Sequence, residues 1–141
     1  MNRRLKLAGS VVAFAAVFTF GAATAAFAGG SLNLKTSSSN EGSFSGSWTL
    51  YPAGTAHGGF YVSGSVCDNK NDGNGVYGQG RVDGYGWSSK RGDSNGSSAG
   101  CGSEGREFYD SSATRVSKGQ YQVCVDDIGS DTCGVSQWYY R

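Results

Sequence analysis

The most informative stretch of the chain is GVYGQGRVDGYGW, Gly75 to Trp87, in which residue types alternate with a period of two. Valine and glycine occupy the even positions, whereas polar and aromatic residues occupy most of the odd ones. Only a β-strand sorts alternate residues onto opposite faces, so the pattern predicts a strand over the whole stretch. The valine and glycine face would let a second layer approach closely. The other face would carry rings and charges.

The composition beyond residue 28 extends this prediction to the whole chain. That region holds eight valines and fourteen aromatic residues, but only three leucines and no methionine. Valine and aromatic residues suit a pleated sheet, and most of the 24 glycines lie here and mark frequent turns. About six short strands with turn residues between them predict an all-β fold, a small antiparallel β-sandwich or barrel.

Two of the predicted strands would form a hairpin. The segment from Phe60 to Cys67 alternates in the same way, and the polar cluster Asp68 to Gly75 separates it from the opening stretch. Two alternating segments around a polar turn are typical of a β-hairpin. Asp83 would then lie in mid-strand, and an ion pair with Arg81 on the same face would account for it.

The first residues are typical of a secretory signal peptide. A basic start and an apolar segment precede the small-x-small site Ala26-Phe27-Ala28, which predicts cleavage after residue 28 and an extracellular location. Residues 29–43 are predicted to be a flexible N-terminal arm. The alternative is an extended strand over residues 31–36, which also alternate. Residues 44–141 would form the β-domain.

The charge balance argues against two classes of partner. Cleavage would remove three of the 12 basic residues and none of the 11 acidic ones, which leaves a net charge of −2. A small, evenly spread charge does not favour binding to nucleic acid or to an anionic membrane. Neither nucleic acid nor a membrane is therefore predicted as a partner, and a secreted protein partner follows from a binding or adaptor function instead. The sequence does not indicate whether a small-molecule ligand is involved.

Four cysteines lie in the exported region, where disulfides are expected to form. Three pairings are possible. We favour Cys124–Cys133, which brackets a predicted hairpin, together with Cys67–Cys101, which closes the remaining loop. There is no C-x-x-C motif and His57 is the only histidine, so neither a zinc site nor any cofactor is predicted. A loose calcium site within Asp68–Gly75 remains an alternative to ordinary turn roles for its carboxylates.

No catalytic residues are predicted. His57 lies in a turn-like Ala-His-Gly-Gly segment, the G-x-S-x-G motif is absent, and most carboxylates lie beside glycine, asparagine or serine, where they serve turns. The predicted contact residues instead come from the ring-bearing face of the opening stretch. Exposed Tyr, Trp and Arg anchor many interfaces and stack on sugar rings. The candidate binding residues are Tyr77, Arg81, Tyr85 and Trp87; covering of the core is the alternative role for these rings.

Several motifs resemble small exported proteins of filamentous Gram-positive bacteria. They are the Ala26-Phe27-Ala28 site, the segment from Asp72 to Tyr77, the segment from Val82 to Ser88 and the terminal Cys124…Cys133…Trp138-Tyr139-Tyr140. Some of these proteins resemble the adaptor subunit of secreted umbrella toxin particles, thought to join a lectin subunit to a repeat-built toxin stalk. The resemblance implies a non-catalytic connector whose N-terminal arm docks into a partner.

The predicted function is therefore a secreted, non-catalytic binding or adaptor module, in which the resemblance implies a link between subunits of a toxin particle. The alternative is a secreted inhibitor of a protease or glycosidase. An inhibitor would insert a rigid loop into an active site, and the loops Asp68–Gly75 and Ser88–Gly100 are its candidates.

Overall fold

The computed structural model describes residues 27–36, 40–92 and 98–141, and in these segments every regular element is a β-strand. Within the described segments, no helix is long and apolar enough to cross a membrane. The strands are β1 (Ala28–Lys35), β2 (Gly42–Leu50), β3 (Phe60–Asp68), β4 (Val76–Val82), β5 (Arg91–Gly92), β6 (Gly100–Phe108), β7 (Lys118–Val125), β8 (Thr132–Val135) and β9 (Tyr139–Tyr140).

The strands form two antiparallel sheets. The first sheet has the order β1-β2-β3-β6, and the second has the order β5-β4-β7-β8, with β9 also paired to β7. The two sheets enclose one hydrophobic core. The predicted all-β fold is confirmed, and the arrangement is a sandwich of two layers.

In the first sheet, the even-numbered residues of all four strands face the core. Leu32, Phe44, Leu50, Phe60, Val62 and Val66 are almost completely buried. The odd-numbered residues face outward, and serine is the commonest residue among them; Ser45, for example, lies opposite Ser65, which lies opposite Ser103. This sheet therefore has one apolar face and one solvated face, as expected for an antiparallel sheet at a surface.

The second sheet closes the core with valines and one tyrosine. Val76, Val82, Val123 and Val125 are buried, which confirms the predicted packing role of the valine and glycine face. The Tyr121 ring lies 4.8 Å from the Phe44 ring of the first sheet, measured between ring centres. Aromatic contacts of this kind add to the stabilisation that burial alone provides.

The predicted disulfide pairing is confirmed. Cys67 bonds to Cys101 between β3 and β6, and Cys124 bonds to Cys133 between β7 and β8. In each case the two cysteines are direct register partners on neighbouring strands. Each disulfide therefore cross-links two neighbouring strands of the same sheet. Paired disulfides of this kind are typical of small extracellular proteins.

The predicted hairpin of β3 and β4 is wrong. These strands belong to different sheets, and residues 69–75 cross from one layer to the other. Stacked sheets lie about 10 Å apart, a distance that a loop of this length spans easily. Periodicity shows which residues of a strand face the core, but it does not show which strand lies alongside.

The N-terminal arm predicted over residues 29–43 is largely β-structure. β1 pairs with β2 along its whole length, and Leu32 is only 1 % exposed. Burial of this leucine and the pairing with β2 both oppose the entropy lost on ordering the strand, and they agree with the alternative that residues 31–36 pair as an extended strand. Residues 37–39 of the predicted arm, and residues 1–26 of the predicted signal peptide, lie outside the described residues.

Candidate functional site

An aromatic groove lies at the edge of the sandwich, between β4 and β6. Its volume is about 450 Å³, within the range of small-molecule and side-chain pockets. The residues that line it include Arg81, Val82, Tyr85, Trp87, Phe108 and Tyr109. Three of the four predicted binding residues are therefore brought together, and we refer to this pocket as the groove.

A tight turn after β4 forms one wall of the groove. The strand ends at Val82, so the prediction of a strand as far as Trp87 is wrong. Gly84 has a φ of 81°, in the left-handed region that favours glycine, and the Tyr85 N–H donates to the Val82 carbonyl over 3.1 Å. The chain then returns along β4, where Ser88 N–H donates to the Gly80 carbonyl over 2.9 Å. This turn leaves the Tyr85 side chain 50 % exposed.

Trp87 and Arg81 belong to a stack of rings and cations on the outer face of the second sheet. The Arg81 guanidinium lies 4.3 Å from the centre of the Trp87 ring and 5.0 Å from that of Trp138. Lys118 Nζ lies 4.8 Å from the Trp138 ring centre and 5.7 Å from that of Tyr140. Each cation–π contact of this type stabilises by about 0.5–1 kcal/mol at an exposed site. The stack holds Trp87 in place beside the groove.

Tyr77, the fourth predicted binding residue, is not available for contact because it is only 6 % exposed. Its hydroxyl donates to Asp131, and Lys90 Nζ covers its ring at 4.1 Å from the centre. Burial, together with the bond to Asp131, raises the pKa of Tyr77 to about 12. The bond from Tyr77 in turn lowers the pKa of Asp131. Tyr77 therefore pins the β7–β8 turn onto β4.

The expected ion pair between Arg81 and Asp83 is also wrong. Arg81 donates from Nε and from one terminal nitrogen to Gln120 Oε1, over 2.9 and 2.6 Å. Asp83 lies in the turn after β4, where it pairs with Lys118 over 3.2 Å. The end of β4 separates the two side chains, which an uninterrupted strand would have kept on one face.

The opposite wall of the groove comes from the end of β6. Tyr109 is 42 % exposed, and its ring stacks on the His57 ring with the centres 4.0 Å apart. Glu107 accepts the backbone N–H groups of His57 and Gly59 on Oε1 and contacts His57 Nδ1 with Oε2, all within 3.0 Å. The turn that contains His57 is thereby tied to β6.

Tyr85 is oriented by a carboxylate next to the groove. Its hydroxyl donates to Asp110 Oδ1 over 2.9 Å, and this bond raises the pKa of Tyr85. Asp110 also accepts from the side chain and the backbone of Ser112, and these bonds lower the pKa of Asp110. An aromatic ring held at the surface by a hydrogen bond loses little entropy when it binds a partner.

Glu104 is flanked by Ser103 and Gly105, a setting typical of turns, but it lies in mid-strand in β6 with its side chain buried. Arg106 binds it with two nitrogens, over 2.8 and 2.7 Å, and Tyr121 donates to it over 2.6 Å. Burial raises the pKa of Tyr121, and the bond to Glu104 raises it further. This buried network joins the two sheets.

The residues that the structure describes contain no group of three or more His, Cys, Asp and Glu side chains close enough to hold a metal ion. In the loop considered for calcium, Asp68 accepts the Lys70 N–H over 2.9 Å and Asp72 accepts the Asn74 N–H over 3.1 Å. These are ordinary aspartate turns. For His57, the described segments place no serine or threonine hydroxyl in hydrogen-bond contact with the imidazole.

Sequence reasoning missed Tyr109 and Glu107 as members of the site. Both follow from the position of Phe108, whose ring packs into the core and so turns its two neighbours outward at the end of β6. The adjacent aromatic residues Phe108 and Tyr109 were visible in the sequence. Their position opposite the turn after β4 depends on the strand order, which the sequence does not reveal.

Fold and site together define a disulfide-stapled β-sandwich with a surface groove lined by aromatic residues. Comparisons with protein-family models, with curated proteins and with solved structures found no match to this chain.

Proposed function

We propose that this protein is a secreted, non-catalytic adaptor that binds another extracellular protein through the groove. The observation that carries the proposal is the pair of tyrosines, Tyr85 and Tyr109, which stand 50 % and 42 % exposed on the two walls of a rigid pocket. Large rings with little rotamer entropy to lose are the usual anchors of protein interfaces. The hydrogen bond from Tyr85 to Asp110, the bonds from the His57 turn to Glu107 and the contact of Arg81 with Trp87 hold the walls in place.

The chemistry of the site supports binding over catalysis. A hydrolase of the serine type needs a nucleophile within hydrogen-bond reach of its base. In the described segments, His57 instead contacts Glu107 and Tyr109, and its carboxylate partner is held by two backbone N–H groups. Glu107 therefore acts as an anchor for the turn. A role as a link between subunits of a secreted toxin particle, which the resemblance implies, is the specific form of this proposal.

The test is capture from native culture medium by the immobilised mature protein. The matched variant replaces Tyr85 and Tyr109 with serine, and the control variant Ile128→Ser changes a fully exposed apolar residue outside the groove. We expect a larger secreted protein to be retained by the wild type and the control but lost by the groove variant. Circular dichroism checks that all three proteins are folded.

Capture that does not depend on Tyr85 and Tyr109 would contradict the proposal, as would recovery of the free monomer alone. Two activity measurements test the alternatives that the protein is an inhibitor or an enzyme. Stoichiometric inhibition of a protease or glycosidase would replace the adaptor with an inhibitor. A hydrolytic activity that His57→Ala abolishes would replace it with an enzyme.

A further inference from the structure

The polar side chains that line the groove differ in how many hydrogen bonds they already make within the protein. Glu107 already receives three donors, and the Ser88 hydroxyl accepts from Gly80 N–H while donating to the Ser89 carbonyl. These two side chains have little capacity left for a ligand. A ligand that depends on protein acceptors, as a neutral sugar does for its hydroxyl protons, therefore finds few of them in the groove.

Arg81 keeps capacity for a ligand, because its positive charge has no carboxylate partner among the described residues. Its bonds go to one neutral amide oxygen, that of Gln120. In the described part of the chain, no carboxylate lies within ion-pair distance of its guanidinium, and Asp83, which is close in sequence, pairs with Lys118. One terminal nitrogen of Arg81 thus keeps its donors for a ligand. A guanidinium binds carboxylates better than any other side chain does.

Trp87 connects this charge to the groove. Its ring lines the groove and lies 4.3 Å from the Arg81 guanidinium. An apolar ring that enters the groove and packs on Trp87 would hold a carboxylate attached beside it near Arg81. The charge and the apolar surface are therefore adjacent, and they suit a ligand that has both features.

We propose that the groove recognises an acidic peptide segment of the partner protein, in which a carboxylate side chain is adjacent to an aromatic or large apolar side chain. The apolar side chain occupies the groove between Tyr85 and Tyr109, and the carboxylate binds Arg81. This inference rests on the proposed function, since the segment belongs to the captured partner.

The test uses two peptides that differ only in charge, N-acetyl-Asp-Phe amide and N-acetyl-Asn-Phe amide. Titration is followed by the NMR shift of the Trp87 indole N–H in the complete mature protein. We expect the Asp peptide to bind about fivefold more tightly, as a partly exposed ion pair allows, and to lose this advantage as salt is raised. Arg81→Gln should abolish the difference, Arg81→Lys should keep part of it, and Arg91→Gln, which changes an exposed arginine outside the groove, should keep all of it.

Equal affinity for the two peptides would overturn the inference. So would a failure of both peptides to bind when the partner from the medium is still captured through Tyr85 and Tyr109, and in that case the proposed function would stand. Binding of glucuronate at Trp87, with no binding of the Asp peptide, would overturn it in favour of an acidic sugar. Loss of both capture and peptide binding would remove the proposed function as well.

Discussion

The Tyr121 hydroxyl donates a 2.6 Å hydrogen bond to Glu104 across the two sheets, and it fits there because residue 78 is a glycine. A Cβ added at Gly78 would lie 1.9 Å from this hydroxyl oxygen. Gly78 therefore leaves space for a buried polar link between the layers, and Gly80 leaves space for the Phe108 ring.

Gly78→Ala should destabilise the protein by about 1–3 kcal/mol, because the new methyl group displaces the Tyr121 ring and strains its bond to Glu104. Chemical denaturation of the two proteins measures the difference. Gly86→Ala is the matched control, since nothing lies within 4 Å of its added Cβ. A Gly78→Ala protein as stable as the wild type would show that the layers are not in the close contact described here.

The two disulfides should differ in accessibility and in their contribution to stability. Cys101 is exposed whereas Cys124 is fully buried, so mild reductant should cleave Cys67–Cys101 first. The separations of 34 and 9 residues imply that loss of the longer loop costs about 1 kcal/mol more in chain entropy. Alkylation followed by mass mapping gives the order of cleavage. Denaturation of each singly reduced form gives the loss in free energy of unfolding. Cleavage of Cys124–Cys133 first would contradict the described burial.

Tyr77 should give the protein an alkaline stability limit. The pKa of Tyr77 rises from 10.0 to about 12 on folding. Its contribution to the free energy of unfolding is therefore complete below pH 10 and is lost as the pH rises from 10 to about 12. The denaturation midpoint should therefore fall over that interval, and less steeply in Tyr77→Phe. Burial also raises the pKa of Tyr121, so part of the fall should remain. Tyr140→Phe, at an exposed ring, should leave the profile as steep as in the wild type; identical profiles for all three proteins would count against a buried Tyr77.

Glu107→Gln should loosen the turn that contains His57. The amide side chain cannot accept all three bonds that the carboxylate accepts from His57 and Gly59, and loss of one such bond costs about 1–3 kcal/mol locally. Amide hydrogen exchange at His57 and Gly59 should become faster. Glu41→Gln, which weakens a surface pair with Lys70, should leave these two amides unchanged. Unchanged exchange in Glu107→Gln would mean that other contacts hold the turn.

The amino-acid composition, the two-residue alternation and the cysteine spacing were enough to predict the all-β class, the buried valine face and both disulfides. These features depend on local alternation and on loop closure, which are read directly from residue types and spacing. The end of β4 was missed because Asp83-Gly84 continues the alternating pattern while Gly84 adopts a turn conformation. The hairpin error has a similar origin, since β3 and β4 both alternate correctly but lie in different layers.

The candidate site was predicted in part. Arg81, Tyr85 and Trp87 do line one pocket, although the last two are brought there by a turn rather than by the face of a strand. The burial of Tyr77 depends on Lys90, Asp126 and Asp131, which approach from distant parts of the chain. The placement of Tyr109 depends on the strand order. Long-range contacts of this kind leave no periodic signal in the sequence.

The proposed function requires that Tyr85 and Tyr109 form the contact surface for a protein partner. Calorimetric titration of the captured partner against the wild type and the Tyr85→Ser/Tyr109→Ser variant tests it most directly. We predict that the double variant binds at least about tenfold more weakly while it keeps the wild-type circular dichroism spectrum, because the two tyrosines supply the exposed anchor rings of the groove. An unchanged affinity in the folded double variant would contradict the claim.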